Sequence, residues 1–127
     1  MRKDPRVYLA QIVERIDRIL EYSAGGKEAF FADEKTQDAV IRNLEVIAKA
    51  IKLIPAGFRK KHPNIAWREL AGLLDILMYH YEGVSIRQVW QMVDTELSPL
   101  RRAIAEILPP LTELEKQIAG SDKPAGP

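Results

Sequence analysis

The chain has 127 residues, two histidines and no cysteine, with 19 basic residues set against 18 acidic ones. That length fits one domain with a single core. The missing thiols exclude a disulfide framework, a thiolate zinc site and a cysteine nucleophile. The near-balanced charge excludes a whole-molecule field that would draw the protein to nucleic acid or an anionic membrane, so any RNA contact must come from a local patch.

Met1 to Pro5 lacks the apolar stretch of a signal peptide, and no apolar run approaches the roughly 20 residues that span a bilayer. The expectation is a soluble, cytoplasmic protein. A first helix opens with Asp4 as N-cap and Pro5 at the first helical position. Leu9, Ile12, Val13, Ile16, Ile19 and Leu20 then recur at three- and four-residue spacing. Gly25-Gly26 stops it, and Lys27 to Phe31 form a short extra turn.

A second helix is predicted from about Asp33 to Ile54, closed by Pro55 and Gly57. Arg42, Glu45, Lys49 and Lys52 make one narrow polar stripe on it. Val40, Ile41, Leu44, Val46, Ile47, Ile51, Leu53 and Ile54 cover most of the rest, so it must be covered on more than one side, for which the domain core and a partner subunit are the candidates. A polar connection holding Arg59-Lys60-Lys61-His62-Pro63 leads to a third helix, about Ala66 to Tyr81. This helix is apolar nearly all round, except along Arg68, Gly72, Asp75 and Tyr79.

After a break at Gly83, Ser85 caps a fourth helix through Ile86, Val89, Trp90 and Val93. Ser98-Pro99 starts a fifth, with Leu100, Ile104, Ile107 and Leu108 facing inward. Pro109-Pro110 kink or interrupt the chain before Leu111, Leu114 and Ile118, and residues 120–127 form a flexible tail. No strand pattern, repeat or linker is evident. The reading is an all-α antiparallel bundle of about five helices, one domain over 1–119.

The chemistry-bearing residues are few. His62 reads as a solvated loop residue. His80, in Tyr79-His80-Tyr81, has the side chain best suited to proton transfer near neutral pH, although a histidine on an apolar face is more often a packing residue. Arg59, Lys60 and Lys61, and also Arg101-Arg102, are candidates for phosphate contact, against the alternative of a solvated surface. Trp67 and Trp90 lie in phase with core positions, which favours packing over base stacking.

Several stretches resemble HepT-type members of the HEPN toxin family: residues 1–9, the run Gln37-Asp38-Ala39-Val40-Ile41-Arg42-Asn43-Leu44-Glu45-Val46-Ile47, His62-Pro63, Trp67-Arg68, Ala71-Gly72-Leu73, then Tyr81, Gly83, Val84 and Val89-Trp90. The likeness covers residue 1 to about 108. It implies a helical bundle that pairs as a symmetric dimer, encoded beside a minimal nucleotidyltransferase antitoxin, with metal-independent ribonuclease activity and no cofactor. The family's motif is an arginine, four intervening residues, a histidine, one more residue and a tyrosine. The arginine holds the scissile phosphate and the histidine acts as general acid or base.

Laid on this chain, the motif puts Leu74 at the arginine position, Tyr79 at the histidine position and Tyr81 at the tyrosine position. Leucine does not bind phosphate, and an unperturbed tyrosine, with a pKa near about 10, is a poor proton shuttle at neutral pH. His80 stands one residue late, turned by about 100° on a helix. By the same resemblance Tyr81 is the residue that the partner nucleotidyltransferase adenylylates.

On the second helix Lys49 stands where the family commonly has glutamate and Ala48 where it has glycine, while Ile51 and Leu53 replace smaller or charged residues. These changes run from polar cleft to apolar surface, and each buried aliphatic is worth about 1.5–3 kcal/mol. The expectation is therefore a protein with a lost ribonuclease motif that works by association. Its dimer seam would be built from Ile51, Leu53, Leu74 and Met78. Arg59, Lys60, Lys61 and Arg68 are the RNA-contact candidates should cleavage persist. The alternatives are an active endonuclease using His80, aided by Arg68 or Lys49, and a redesigned apolar surface made for higher assembly or a non-native partner.

Overall fold

A computed structural model of the chain describes residues 4–78 and 85–108. Helix α1 spans Pro5–Tyr22, α2 Lys27–Ala32, α3 Glu34–Leu53, α4 Ala56–Lys61, α5 Trp67–Met78, α6 Ile86–Gln91 and α7 Leu97–Ile107. A π-helical turn, Met92–Glu96, joins α6 to α7. There is no strand among the described residues, in keeping with the all-α reading. The Pro109-Pro110 kink, the segment after it and the tail from residue 120 lie outside the described residues.

Local chemistry sets the helix starts. The Asp4 carboxylate accepts from the Arg6 backbone N–H at 2.9 Å and from the Arg6 guanidinium, so it satisfies an orphan donor of the first turn while Pro5 sacrifices none. Asp33 repeats the device for α3, accepting from the Lys35 N–H at 3.1 Å and the Thr36 hydroxyl at 2.8 Å. Gln37 reaches back from α3 to donate to the Phe30 and Phe31 carbonyls, which closes the end of α2.

The end of α1 differs from the expected glycine stop. Ser23 terminates the helix, its hydroxyl donating to the Ile19 carbonyl at 2.7 Å. Gly26 instead opens α2, with φ of 92° and ψ of −176°, a backbone region essentially reserved for glycine.

Helix α3 is the centre of the molecule. The largest helix–helix interface is α1 on α3, and α5 and α2 pack against it as well. Its Val40, Leu44, Ile47, Ala48, Ala50 and Ile51 join Leu9, Ile12, Ile16 and Ile19 of α1 and Leu74 and Leu77 of α5 in one core. Helices of the same chain thus meet the demand for cover on more than one side. Arg42, Lys49 and Lys52 remain exposed, as the polar stripe requires. Asn43 is the one buried polar residue among the described residues, 4% exposed. It donates to the Ala39 carbonyl at 2.7 Å and accepts from Arg15 of α1 at 3.2 Å.

Two connections depart from the sequence reading. The polar connection after Pro55 contains a short helix, α4, whose last turn carries Arg59, Lys60 and Lys61, the charge that favours a helix C-terminus. Ser98-Pro99 does not start a fifth helix, because α6, the π turn and α7 form one uninterrupted helical rod and Pro99 lies inside it. Proline lacks the N–H of the normal ladder and crowds the carbonyl four residues back, here that of Thr95. The wider turn accommodates this, with the Leu97 N–H bonded to the Met92 carbonyl, a five-residue step. Arg101 ties the rod to α1 through both oxygens of Asp17, at 2.5 and 3.1 Å.

Candidate functional site

The candidate site lies along α5, beside the C-terminal end of α3. Trp67 anchors the start of α5: it is buried, and its indole N–H donates to the His62 carbonyl at 3.0 Å. His62 is therefore more than a solvated loop residue; it caps α4, and its ring lies 4.7 Å from that of Phe58. Trp90 packs on Phe30 at a centroid distance of 5.2 Å, the packing role expected of it.

Along α5, Leu74 and Leu77 point inward at 0% and 1% exposure, while Leu73 and Ile76 stand out at 39% and 59%. Arg68, Glu69 and Gly72 share the exposed side. Leu53, at the end of α3, is 57% exposed. Between the helices the Lys52 ammonium meets the Asp75 carboxylate at 2.6 Å, so the cation bound next to Leu74 on α5 is already paired.

This arrangement corrects part of the expected seam. Ile51 and Leu74 belong to the chain's own core and have no surface for a partner, whereas Leu53 has. The exposed apolar residues of α5 are Leu73 and Ile76, which the seam reading left out. Met78 closes α5, and its side chain, together with Tyr79, His80 and Tyr81, lies outside the described residues. The histidine alternative and the adenylylation position therefore fall outside them too.

Of the RNA-contact candidates, Arg68, Lys60 and Lys61 are exposed and Arg59 is half-buried, with an Nε that has neither solvent nor a hydrogen-bond partner. Arg101 is engaged with Asp17, which holds its guanidinium pKa above the ordinary value through their hydrogen bond. Chemically, the described part of α5 offers an aliphatic face, one cation, Arg68, and two carboxylates, Glu69 and Asp75, of which Asp75 is held by Lys52. No helix among the described residues is long and apolar enough to cross a membrane.

A second feature had no signal in the sequence, because its parts are far apart in the chain. A groove of about 370 Å³ runs between the start of α5 and the rod, lined by Leu70, Leu73, Pro99 and Ala103 with Glu69 and Glu96 among them. The π turn supplies Glu96.

The family described as "Ribonuclease HepT-like" matches residues 12–107. A protein of Methanocaldococcus jannaschii named "Gamma-glutamylcyclotransferase and putative RNase" is 42% identical over 117 residues, 91% of this chain and 51% of that one. This chain thus spans about half the length of that relative. A "Probable ribonuclease HepT" of Thermococcus cleftensis is 41% identical over 102 residues, 80% of this chain and 93% of the relative. A "Putative RNase" of Caldanaerobacter subterraneus subsp. tengcongensis is 36% identical over 107 residues, 84% of this chain and 96% of the relative. No solved structure matches the chain.

Proposed function

Because this chain belongs to the HepT-like ribonuclease family, we propose that it is a member whose cleavage site is disarmed and whose work is association, with a second copy of itself and with a nucleotidyltransferase. Leu74 carries this reading. It stands where the family resemblance calls for a phosphate-holding arginine, it bears no charge, and it has none of its surface in water. The adjoining cation, Lys52, is held by Asp75. Neither arrangement favours a polyanion.

The exposed aliphatic residues support self-association. Leu53, Leu73 and Ile76 leave apolar area in water that a symmetric partner would cover, and such faces mark interaction sites more often than solvent-facing surface. Tyr81 keeps the position at which the family is adenylylated, which supports a nucleotidyltransferase as the second partner.

The test has two arms. The purified chain is incubated with a mixed RNA pool in chelator, beside His80→Ala. No cleavage above a buffer control is expected from either protein. Cleavage by the parent that disappears in His80→Ala would overturn the proposal in favour of an active endonuclease. In parallel, light scattering compares the parent with Leu73→Glu/Ile76→Glu. The parent is expected to run as a dimer and the variant as a folded monomer. A parent that is monomeric at high concentration, or that forms larger assemblies, would remove the symmetric-dimer arm.

A further inference from the structure

The groove between α5 and the rod takes in Leu73, the residue before Leu74, and its chemistry is mixed in a specific way. Leu70, Leu73, Pro99 and Ala103 make it apolar. Its only ionisable lining residues among the described residues are two carboxylates, Glu69 and Glu96. Both residues are exposed, and neither has an ion-pair partner among the described residues. No arginine or lysine among the described residues lines the groove.

An unpaired carboxylate beside apolar surface repels RNA phosphates and attracts a cation that also has something to bury. The groove's origin adds to this. Pro99 inside a helix and the wide turn at Met92–Glu96 are both locally unfavourable relative to a plain α-helix, and together they shape this wall. Such π turns recur at functional sites. The volume lies within the range of about 300–1,000 Å³ common to ligand sites, enough for the side chains of a short peptide segment.

We propose that this groove docks a segment of a partner protein in which aliphatic side chains are flanked by lysine or arginine. The aliphatic group enters between Leu70, Leu73 and Ala103, and the cations meet Glu69 and Glu96. Charge complementarity selects this occupant over RNA. The proposal goes beyond the association reading and does not depend on the cleavage site being disarmed.

Fluorescence anisotropy with three labelled probes tests it: a fourteen-residue leucine–lysine amphipathic peptide, its leucine–glutamate counterpart, and a glycine–lysine peptide of equal positive charge. The full chain is titrated beside Glu69→Gln/Glu96→Gln, Ala103→Trp to fill the groove, and Glu14→Gln/Glu28→Gln, which makes the same charge change elsewhere. Circular dichroism confirms that each variant is folded.

The leucine–lysine peptide should bind the parent, with affinity falling about tenfold or more in the first two variants and less than about twofold in the third, since rim charge pairs are individually weak and act together here. Equal binding of the glycine–lysine or leucine–glutamate peptide would overturn the proposal. So would an undiminished affinity in Ala103→Trp, an equal loss in Glu14→Gln/Glu28→Gln, or no binding by the parent. If Ala103→Trp fails to fold, Ala103→Met takes its place with the same expected loss. RNA cleavage and the oligomeric state are read in separate assays, and the groove variants leave unchanged Leu73, which the dimer reading shares with the groove, so failure here leaves the family-based reading standing.

Discussion

Placing the family's arginine at this position, Leu74→Arg, sets the core position of Leu74 against the cleft position that the family resemblance assigns to it. Leu74 is fully buried among the aliphatic side chains of α3 and α5. Truncation to alanine should cost about 2–5 kcal/mol through lost burial and the cavity left behind. An arginine there loses the same packing and adds a guanidinium with no acceptor, since Asn43, the only buried polar side chain among the described residues, already accepts from Arg15. The combined penalty should exceed about 4 kcal/mol, a large share of the roughly 5–15 kcal/mol that holds a domain of this size together.

Urea denaturation followed by helical circular dichroism, comparing the parent, Leu74→Ala and Leu74→Arg, reads this directly. The expected order is parent, then alanine, then arginine, with the arginine protein unfolded or nearly so in water. A Leu74→Arg protein within about 1 kcal/mol of the parent would refute the reasoning. It would mean that this side chain opens onto a cleft, as in the active members that the family resemblance implies, and that the packing of α5 on α3 yields when a charge is placed there.

Three further outcomes follow from the local geometry. Asp4→Ala should cost roughly 1 kcal/mol by uncapping α1. Hydrogen bonding from the Arg6 side chain holds the Asp4 pKa below its ordinary value, so its contribution is complete above the unfolded carboxylate's pKa of about 3.9 and is lost as pH falls through the lower folded value, a dependence that Asp4→Asn should abolish in acid melts. Gly26→Ala should destabilise by about 1–3 kcal/mol because its φ of 92° with extended ψ strains any Cβ, and an unchanged melting midpoint would show that the α1–α2 turn has another conformation. Asn43→Ala should cost about 1–3 kcal/mol by leaving Arg15 without its acceptor, and Arg15→Leu/Asn43→Leu should recover most of that loss.

What was legible in the sequence was the chemistry that acts over one or two turns. Asp4 with Pro5 and the start near Asp33 mark helix starts because each carboxylate bonds donors only two or three residues away. Asp33 is held below its ordinary pKa chiefly by the Thr36 hydroxyl. Pro99 read as a helix start for the same local reason, but whether a helix stops or widens at a proline depends on what the flanking turns bury. Here Met92, Val93, Leu97 and Leu100 all enter the core and hold the rod together.

The site failed to read cleanly for a different reason. In Leu73-Leu74-Asp75-Ile76-Leu77 every face but one is aliphatic, so periodicity leaves the rotational phase of α5 open. Tertiary packing turns Leu74 and Leu77 inward and Leu73 and Ile76 outward. The groove depends on juxtaposing Glu69 with Glu96, a nonlocal fact with no trace in spacing.

Asn43 acts as a key cut into an otherwise smooth face. Aliphatic ridges on α1 and α3 would tolerate a slip of one helical turn, since leucine and isoleucine recur at nearly every equivalent step. A slip moves Arg15 away from the Asn43 oxygen that receives it and leaves a half-buried guanidinium without that partner. The largest helix–helix interface among the described residues is thus given its alignment by this hydrophilic tooth. A site assembled across α3 and α5 inherits its spacing from that tooth.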